Sequence, residues 1–168
     1  MDYAAAHEDL ERVLEDLIEK NRVAPIIVEG EYDRRALVEL GVRGDIRVLN
    51  RGNSVLALCE AIAREYREAI ILTDWDVRGG RIARQLRDAL TANGVRYNDD
   101  LRARLTILCR KDIKDVESLH RFAERIEALA ASGEQQRPSK RFYAERVRRR
   151  DDRRRSKGAR SSRDRKAP

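Results

Sequence analysis

Two short acidic signatures, each directly after an apolar run, carry the residue types best suited to chemistry. The first places Glu29 at the end of its run and Asp33 four residues later. The second has two aspartates spaced i, i+2, Asp74 and Asp76. Carboxylates at the ends of neighbouring strands can hold a hard divalent cation such as Mg²⁺ beside a phosphate. The two signatures therefore predict a cation site, provided that the fold brings them together.

The elements around these signatures alternate between amphipathic patterns and short apolar runs. Helices are predicted at about 7–21, 32–40, 55–66, 82–90 and 116–131, and strands at 24–28, 46–49, 69–72 and 105–108. This alternation predicts an α/β fold with about four mostly parallel strands and helices on both faces. Functional groups collect at the carboxyl edge of such a sheet. Five groups would meet there: Glu29, Asn50, Asp74, Asp76 and the loop after Leu108.

Length and composition limit the classes of protein to consider. A chain of 168 residues can form one domain with an extension and a sizeable core. There is no apolar run of membrane-spanning length and no amino-terminal export signal, so we expect a cytoplasmic protein without a membrane partner. Cys59 and Cys109 lie in apolar surroundings, which favours buried, reduced thiols over a zinc site or a disulfide.

The basic charge of the chain is concentrated at its carboxyl end. Residues 137–168 contain 15 Lys and Arg against 4 Asp and Glu, whereas residues 1–136 contain 22 against 26. A segment this charged buries too little apolar surface to offset its ordering entropy, which predicts disorder beyond about Arg150. The predicted organisation is an N-terminal helix at 1–22, a domain at 23–132 and a basic tail at 133–168. Such a tail indicates a nucleic-acid partner.

The two acidic signatures also resemble those of a known family. In order, they read Glu29-Gly30-x-x-Asp33 and Thr73-Asp74-x-Asp76-x-x-Gly79. This pattern resembles the Toprim domain of bacterial primases, type I and type II topoisomerases, overcoming-lysogenization-defect nucleases and the ribonuclease that matures 5S ribosomal RNA. The resemblance spans residues 24–120, and segments 50–53 and 115–118 look most similar to the ribonuclease. Trp75 replaces the proline most familiar in this motif; it would stack on a base or cover the sheet edge.

The resemblance implies a Rossmann-like Toprim fold and a chemistry. It implies that Asp74 and Asp76 bind Mg²⁺, with Mn²⁺ as a substitute, and that Glu29 is a general acid/base or a further metal ligand. The implied activity is phosphodiester cleavage of RNA or DNA, in RNA processing or DNA metabolism. A second class remains open: a non-catalytic nucleic-acid-binding or nucleotide-binding protein with a structural Mg²⁺.

Other residues near the predicted edge have both a functional and an ordinary interpretation. Asp33 and Glu117 are additional acidic candidates, yet acids are also favoured in the first turn of a helix. Four basic residues could contact phosphates or simply face solvent: Arg78, Arg81, Lys111 and Lys114. Asp-x-Asp-x-x-Gly is by itself also typical of a turn and helix cap.

Overall fold

The protein is an α/β fold built on one small sheet. The structure, a computed structural model, describes residues 2–49, 52 and 54–136. Its elements are α1 (Tyr3–Lys20), β1 (Ile26–Val28), α2 (Glu31–Glu39), β2 (Ile46–Val48), α3 (Val55–Glu65), β3 (Glu68–Ile71), α4 (Val77–Ala92), β4 (Arg96–Asn98), α5 (Asp100–Cys109) and α6 (Leu119–Gln136). The chain divides into Met1–Ala130, which holds the sheet, and Ala131–Pro168. The first four residues of the predicted tail at 133–168 belong to α6, whereas its residues 137–168 and the predicted edge residue Asn50 lie outside the described residues.

All four strands run parallel, in the order β2-β1-β3-β4. In the central pair, Ile26 lies opposite Ile70, and on its other side Ile26 lies opposite Ile46. The predicted class, an α/β fold with parallel strands and flanking helices, is therefore confirmed. The strand order reverses direction between β1 and β3, because the chain leaves β1 towards one edge of the sheet and later returns across it. Open α/β sheets bind ligands at such a switch point.

The sheet separates two apolar layers because successive strand residues point to opposite faces. Ile26 and Val28 of β1 join the layer formed with α1, α2, α5 and α6, whereas Ile27 joins the layer formed with α3 and α4. All three strand residues are fully buried. Burial on both faces explains why the central strands read as continuous apolar runs rather than as alternating patterns.

The predicted fourth strand is wrong. Residues 105–108 lie within α5, and the strand that pairs with β3 is β4, Arg96–Asn98. Leu101, Leu105 and Cys109 recur every four residues and are fully buried, which is the pattern of a helix face. The edge strand β4 has mostly exposed side chains, so it lacks the apolar run by which a buried strand is recognised.

Several helix boundaries also differ from those predicted, and α4 begins at Val77 rather than at residue 82. The first helix begins at Tyr3 rather than near residue 7, because the Asp2 carboxylate accepts from the amides of Ala4 and Ala5 at 3.2 and 3.3 Å. The last helix begins at Leu119 rather than at 116. After α4 the chain turns at Gly94, whose φ of 70° lies in the left-handed region that favours glycine.

The interpretation of the cysteines as structural is supported by their surroundings. Cys59 and Cys109 are both buried free thiols, one in each apolar layer. Burial raises the pKa of Cys59 to about 11 and that of Cys109 to about 12. Both groups are therefore protonated and unreactive near neutral pH.

Candidate functional site

The switch point between β1 and β3 brings the two acidic signatures together. Glu29 is the first residue after β1, and its Oε1 accepts a hydrogen bond from the Asp74 amide at 3.1 Å. Only 7 % of Glu29 is exposed. Burial raises the pKa of its carboxyl, the Asp74 amide and Arg78 oppose that rise, and Asp33 and Asp76 add to it. A buried carboxylate is therefore fixed directly against the second signature.

Asp33 belongs to the same acidic cluster and also caps a helix. It is 5 % exposed, and its Oδ2 accepts from the Gly30 amide at 2.8 Å, which caps the amino end of α2. Burial raises its pKa, and the charges of Glu117 and Asp115 raise it further. The first-turn interpretation is therefore correct for Asp33, and its site role stays a prediction for a side chain that lies among the clustered carboxylates.

Asp74 has the most perturbed carboxyl group of the cluster. Its Oδ1 accepts from the Val116 amide at 2.9 Å, which joins the end of β3 to the loop before α6. Burial raises its pKa to about 7, with further contributions from Asp33, Glu29 and Asp115. Near neutral pH, the Asp74 carboxyl is therefore partly protonated in the absence of a cation.

Asp76 is arranged differently from its partner in the motif. It is exposed, and its Oδ1 accepts from the Gly79 amide at 2.6 Å as the N-cap of α4. The cap interpretation of Asp-x-Asp-x-x-Gly is thus correct for this residue. Asp76 still lies close enough for its charge to raise the pKa of Glu29.

Gly79 is the point at which α4 approaches both signatures most closely. A Cβ there would overlap the Asp74 carbonyl group and lie 2.9 Å from Glu29 Oε1. The Gly79 carbonyl also accepts from the buried Thr73 hydroxyl at 2.9 Å. Only glycine fits this position, so the start of α4 is fixed against the acidic edge.

Arg102 is a site residue that the sequence did not reveal. Its Nε donates to the Thr73 carbonyl at 2.9 Å and an Nη to the Asp74 carbonyl at 2.6 Å. Burial lowers the pKa of this guanidinium, which the carboxylates of Glu29 and Asp74 oppose. It lies just before the segment predicted to be a strand. The spacing of Leu101 and Leu105, four apart, is the signal that could have placed it on a helix.

Trp75 forms two hydrogen bonds to the loop that precedes α6. Its indole Nε1 donates to the Ile113 carbonyl at 2.7 Å, and its amide donates to the Lys114 carbonyl at 3.0 Å. The ring is partly buried against the apolar layer. This geometry favours the predicted covering role over stacking on a base.

The remaining predicted site residues are exposed, and two of them, Arg78 and Glu117, act on the acidic cluster through their charges. Arg78 is exposed in the first turn of α4 and acts electrostatically on Glu29. Arg81, Lys111 and Lys114 are exposed. Glu117 is exposed too, and its charge acts on Asp33.

The donor set fits a hard divalent cation, although it is not gathered around one point. No group of three or more His, Cys, Asp or Glu side chains in the described part of the chain is already placed to hold an ion. Glu29 and Asp74 each use one carboxylate oxygen for a backbone amide, so each has a second oxygen for a ligand. Oxygen donors with crowded negative charge are what Mg²⁺ requires, and it needs only one or two protein carboxylates. Asp74, Asp76 and Glu29 are the residues that would hold it.

Within the same described residues, no helix is both long and apolar enough to cross a membrane.

The fold and site define a parallel α/β protein with buried acidic groups at its switch point. Over 125 residues the chain is 36% identical to a UPF0292 protein of Methanosarcina barkeri, covering 74% of this chain and 87% of that protein. It is 31% identical over 118 residues to one of Methanocaldococcus jannaschii, covering 70% and 92%. It is 43% identical over 115 residues to one of Thermococcus gammatolerans, covering 67% and 84%. The chain therefore belongs to the UPF0292 family.

No family model matches the chain. A solved structure of a protein from Aquifex aeolicus is similar, with a TM-score of 0.57 and 23% identity over 64% of this chain and 95% of that one. At this identity the similarity supports the fold alone.

Proposed function

We propose that this chain is a Mg²⁺-dependent Toprim protein that acts on nucleic acid by phosphodiester cleavage. The observation that carries the proposal is the hydrogen bond of 3.1 Å between Glu29 Oε1 and the Asp74 amide at the switch point. It joins the Glu29 carboxylate to the backbone of the second signature, and the charge of Glu29 helps to raise the pKa of Asp74, at the edge where α/β sheets bind ligands. The resemblance to the Toprim motif implies that this pair takes part in Mg²⁺-dependent phosphodiester cleavage.

The proposed roles follow from the position of each carboxylate. Asp74 and Asp76 would hold Mg²⁺, which supplies Lewis-acid stabilisation of the phosphate charge. Glu29 would accept the proton of the attacking water as its oxygen bonds to phosphorus, or would be a further metal ligand. The P–O bond to the leaving oxygen breaks, and that oxygen takes up a proton. The raised pKa of Glu29 suits a proton-transfer role.

The proposed substrate class is RNA or DNA. Arg78 lies in the first turn of α4, where its charge acts on Glu29, and would pair with a backbone phosphate. The basic segment 137–168 would add affinity that is independent of sequence and falls steeply with salt. The proposed setting is the cytoplasm, which the two free buried thiols suit because that compartment is reducing.

A second candidate is a non-catalytic nucleic-acid-binding or nucleotide-binding protein with a structural Mg²⁺. The specific observation in its favour is that Glu29, Asp74 and Asp76 all accept backbone amides within the fold. Carboxylates used in this way can stabilise a turn without performing chemistry.

The deciding experiment measures cleavage of labelled structured RNA and single-stranded DNA with Mg²⁺ or Mn²⁺. We expect wild type to cleave, and Glu29→Gln and Asp74→Asn to lose roughly a hundredfold or more in rate. Glu68→Gln is the matched control, since this acid begins β3 at the opposite end of the strand and forms a surface pair with Arg96. Equal binding by all four proteins without cleavage by any would overturn the enzyme proposal and support the second candidate.

A further inference from the structure

A pocket of about 380 Å³ lies beside the acidic cluster, between α2 and the start of α6. Tyr32 and Arg35 line it from α2, and Glu117 and Arg121 line it from the other side. Its size is within the range of sites that hold small ligands, about 300–1,000 Å³. None of the proposed cleavage steps uses this pocket.

The pocket presents an aromatic platform to solvent. Tyr32 is 69 % exposed, and the guanidinium carbon of Arg35 lies 5.7 Å from the centre of its ring. Among the residues described, neither Arg35 nor Arg121 has a carboxylate partner, unlike the neighbouring Arg34, which pairs with Glu31 at 2.7 Å. An exposed ring with an adjacent guanidinium is the arrangement on which an unpaired base stacks.

The charges of the pocket favour a neutral ring over a phosphate. The pocket lining includes two arginines, Arg35 and Arg121, and two glutamates, Glu39 and Glu117. Glu39 also lies 3.3 Å from His120 Nδ1. Balanced charge gives little attraction for an anion, whereas hydrogen-bond donors and acceptors around an aromatic surface match the edge of a nucleobase.

Two residues of the pocket wall connect it to the acidic site, one by its place in the chain and one by its charge. Tyr32 directly precedes Asp33 in α2, and the charge of Glu117 in the pocket wall acts on Asp33. We infer that the pocket takes one unpaired nucleobase of a single-stranded nucleic acid whose phosphate lies at the acidic edge. This inference rests on the proposed function and specifies its substrate as single-stranded rather than duplex.

The test measures fluorescence anisotropy of labelled single strands, both RNA and DNA, and of the corresponding duplexes. We expect Tyr32→Ala to weaken single-strand binding about tenfold, the effect of losing one stacked base, and to leave duplex binding unchanged. Tyr32→Phe keeps the ring and should bind as wild type does. Tyr97→Ala is the matched control, because Tyr97 is also an exposed tyrosine, 41 %, but lies on the edge strand β4.

A fluorescent base analogue within the single strand provides a second readout. Its emission should be quenched by wild type and by Tyr32→Phe, and this quenching should disappear with Tyr32→Ala. An unchanged affinity and quenching in Tyr32→Ala, or an equal loss for single strand and duplex, would overturn the pocket inference alone. If wild type binds neither form, the proposed function fails with it. Far-UV circular dichroism checks that the exposed substitution leaves the fold intact.

Discussion

The Asp74 amide donates to Glu29 Oε1 at 3.1 Å, so the first residue after β1 directly holds the turn after β3. This bond links two segments 45 residues apart. Because Glu29 is buried, a displacement of either turn would leave a buried acceptor without its donor, at a cost of about 1–3 kcal/mol. The two acidic signatures therefore form one structural unit.

Gly79→Ala should destabilise the protein. The added Cβ would overlap the Asp74 carbonyl and crowd Glu29 Oε1, which we expect to lower the free energy of unfolding by about 1–3 kcal/mol. Gly80→Ala is the control, because a Cβ at that neighbouring helical position meets nothing within 4 Å. It should be neutral or stabilise by about 0.5–1 kcal/mol. Urea denaturation compares the two, and equal stabilities would contradict the packing described for α4.

Arg102→Lys should weaken Mg²⁺ binding roughly tenfold, as substitution of groups that orient metal ligands does. Lysine keeps the charge but cannot donate from a planar fork to both the Thr73 and Asp74 carbonyls. Isothermal titration calorimetry with Mg²⁺ measures this change in affinity. Arg104→Lys, on the same helix and paired with Asp16 at the surface, should bind Mg²⁺ as wild type does. Identical affinities in all three proteins would show that Arg102 does not position the site.

The metal-free protein should lose stability as pH rises, owing to Asp74. Its pKa is raised from the ordinary 3.8 to about 7 in the folded state, so between these values the folded chain binds more protons than the unfolded chain. The stability that Asp74 protonation contributes is therefore fully present below pH 3.8 and is lost as the pH rises through about 7. Asp74→Asn should show a shallower dependence, of which Glu29 and Asp33, whose pKa values are also raised, account for the remainder. Thermal unfolding of both proteins across this range measures it, and parallel profiles would refute the assignment.

Truncation after residue 140 should weaken nucleic-acid binding and flatten its salt dependence. Most of the basic excess of the chain lies in residues 137–168, and the salt slope falls by about one for every phosphate that the shortened chain no longer neutralises. Binding at several salt concentrations measures the slope for the truncated and full-length chains. A truncated protein with an unchanged slope would exclude a phosphate-binding role for this segment.

The sequence predicted the central sheet and its acidic edge because both have local signals. Buried parallel strands are apolar runs, and Glu29 and Asp74 come soon after two of them. The contributions of Arg102 and β4 have no such signal. Arg102 acts through backbone carbonyls 28 and 29 residues away, and an exposed edge strand carries no apolar pattern. Residues that act through backbone groups leave little trace in the sequence, whereas buried strands leave a clear one.

Trp75, whose indole donates to Ile113, is the single tryptophan of the chain. Its intrinsic emission consequently reports on one place only, where the second acidic signature meets the loop before α6. Any ligand that draws Asp74 away from the Val116 amide would disturb the same junction. The protein thus contains its own optical probe of the acidic edge, and occupancy can be followed without attaching a label.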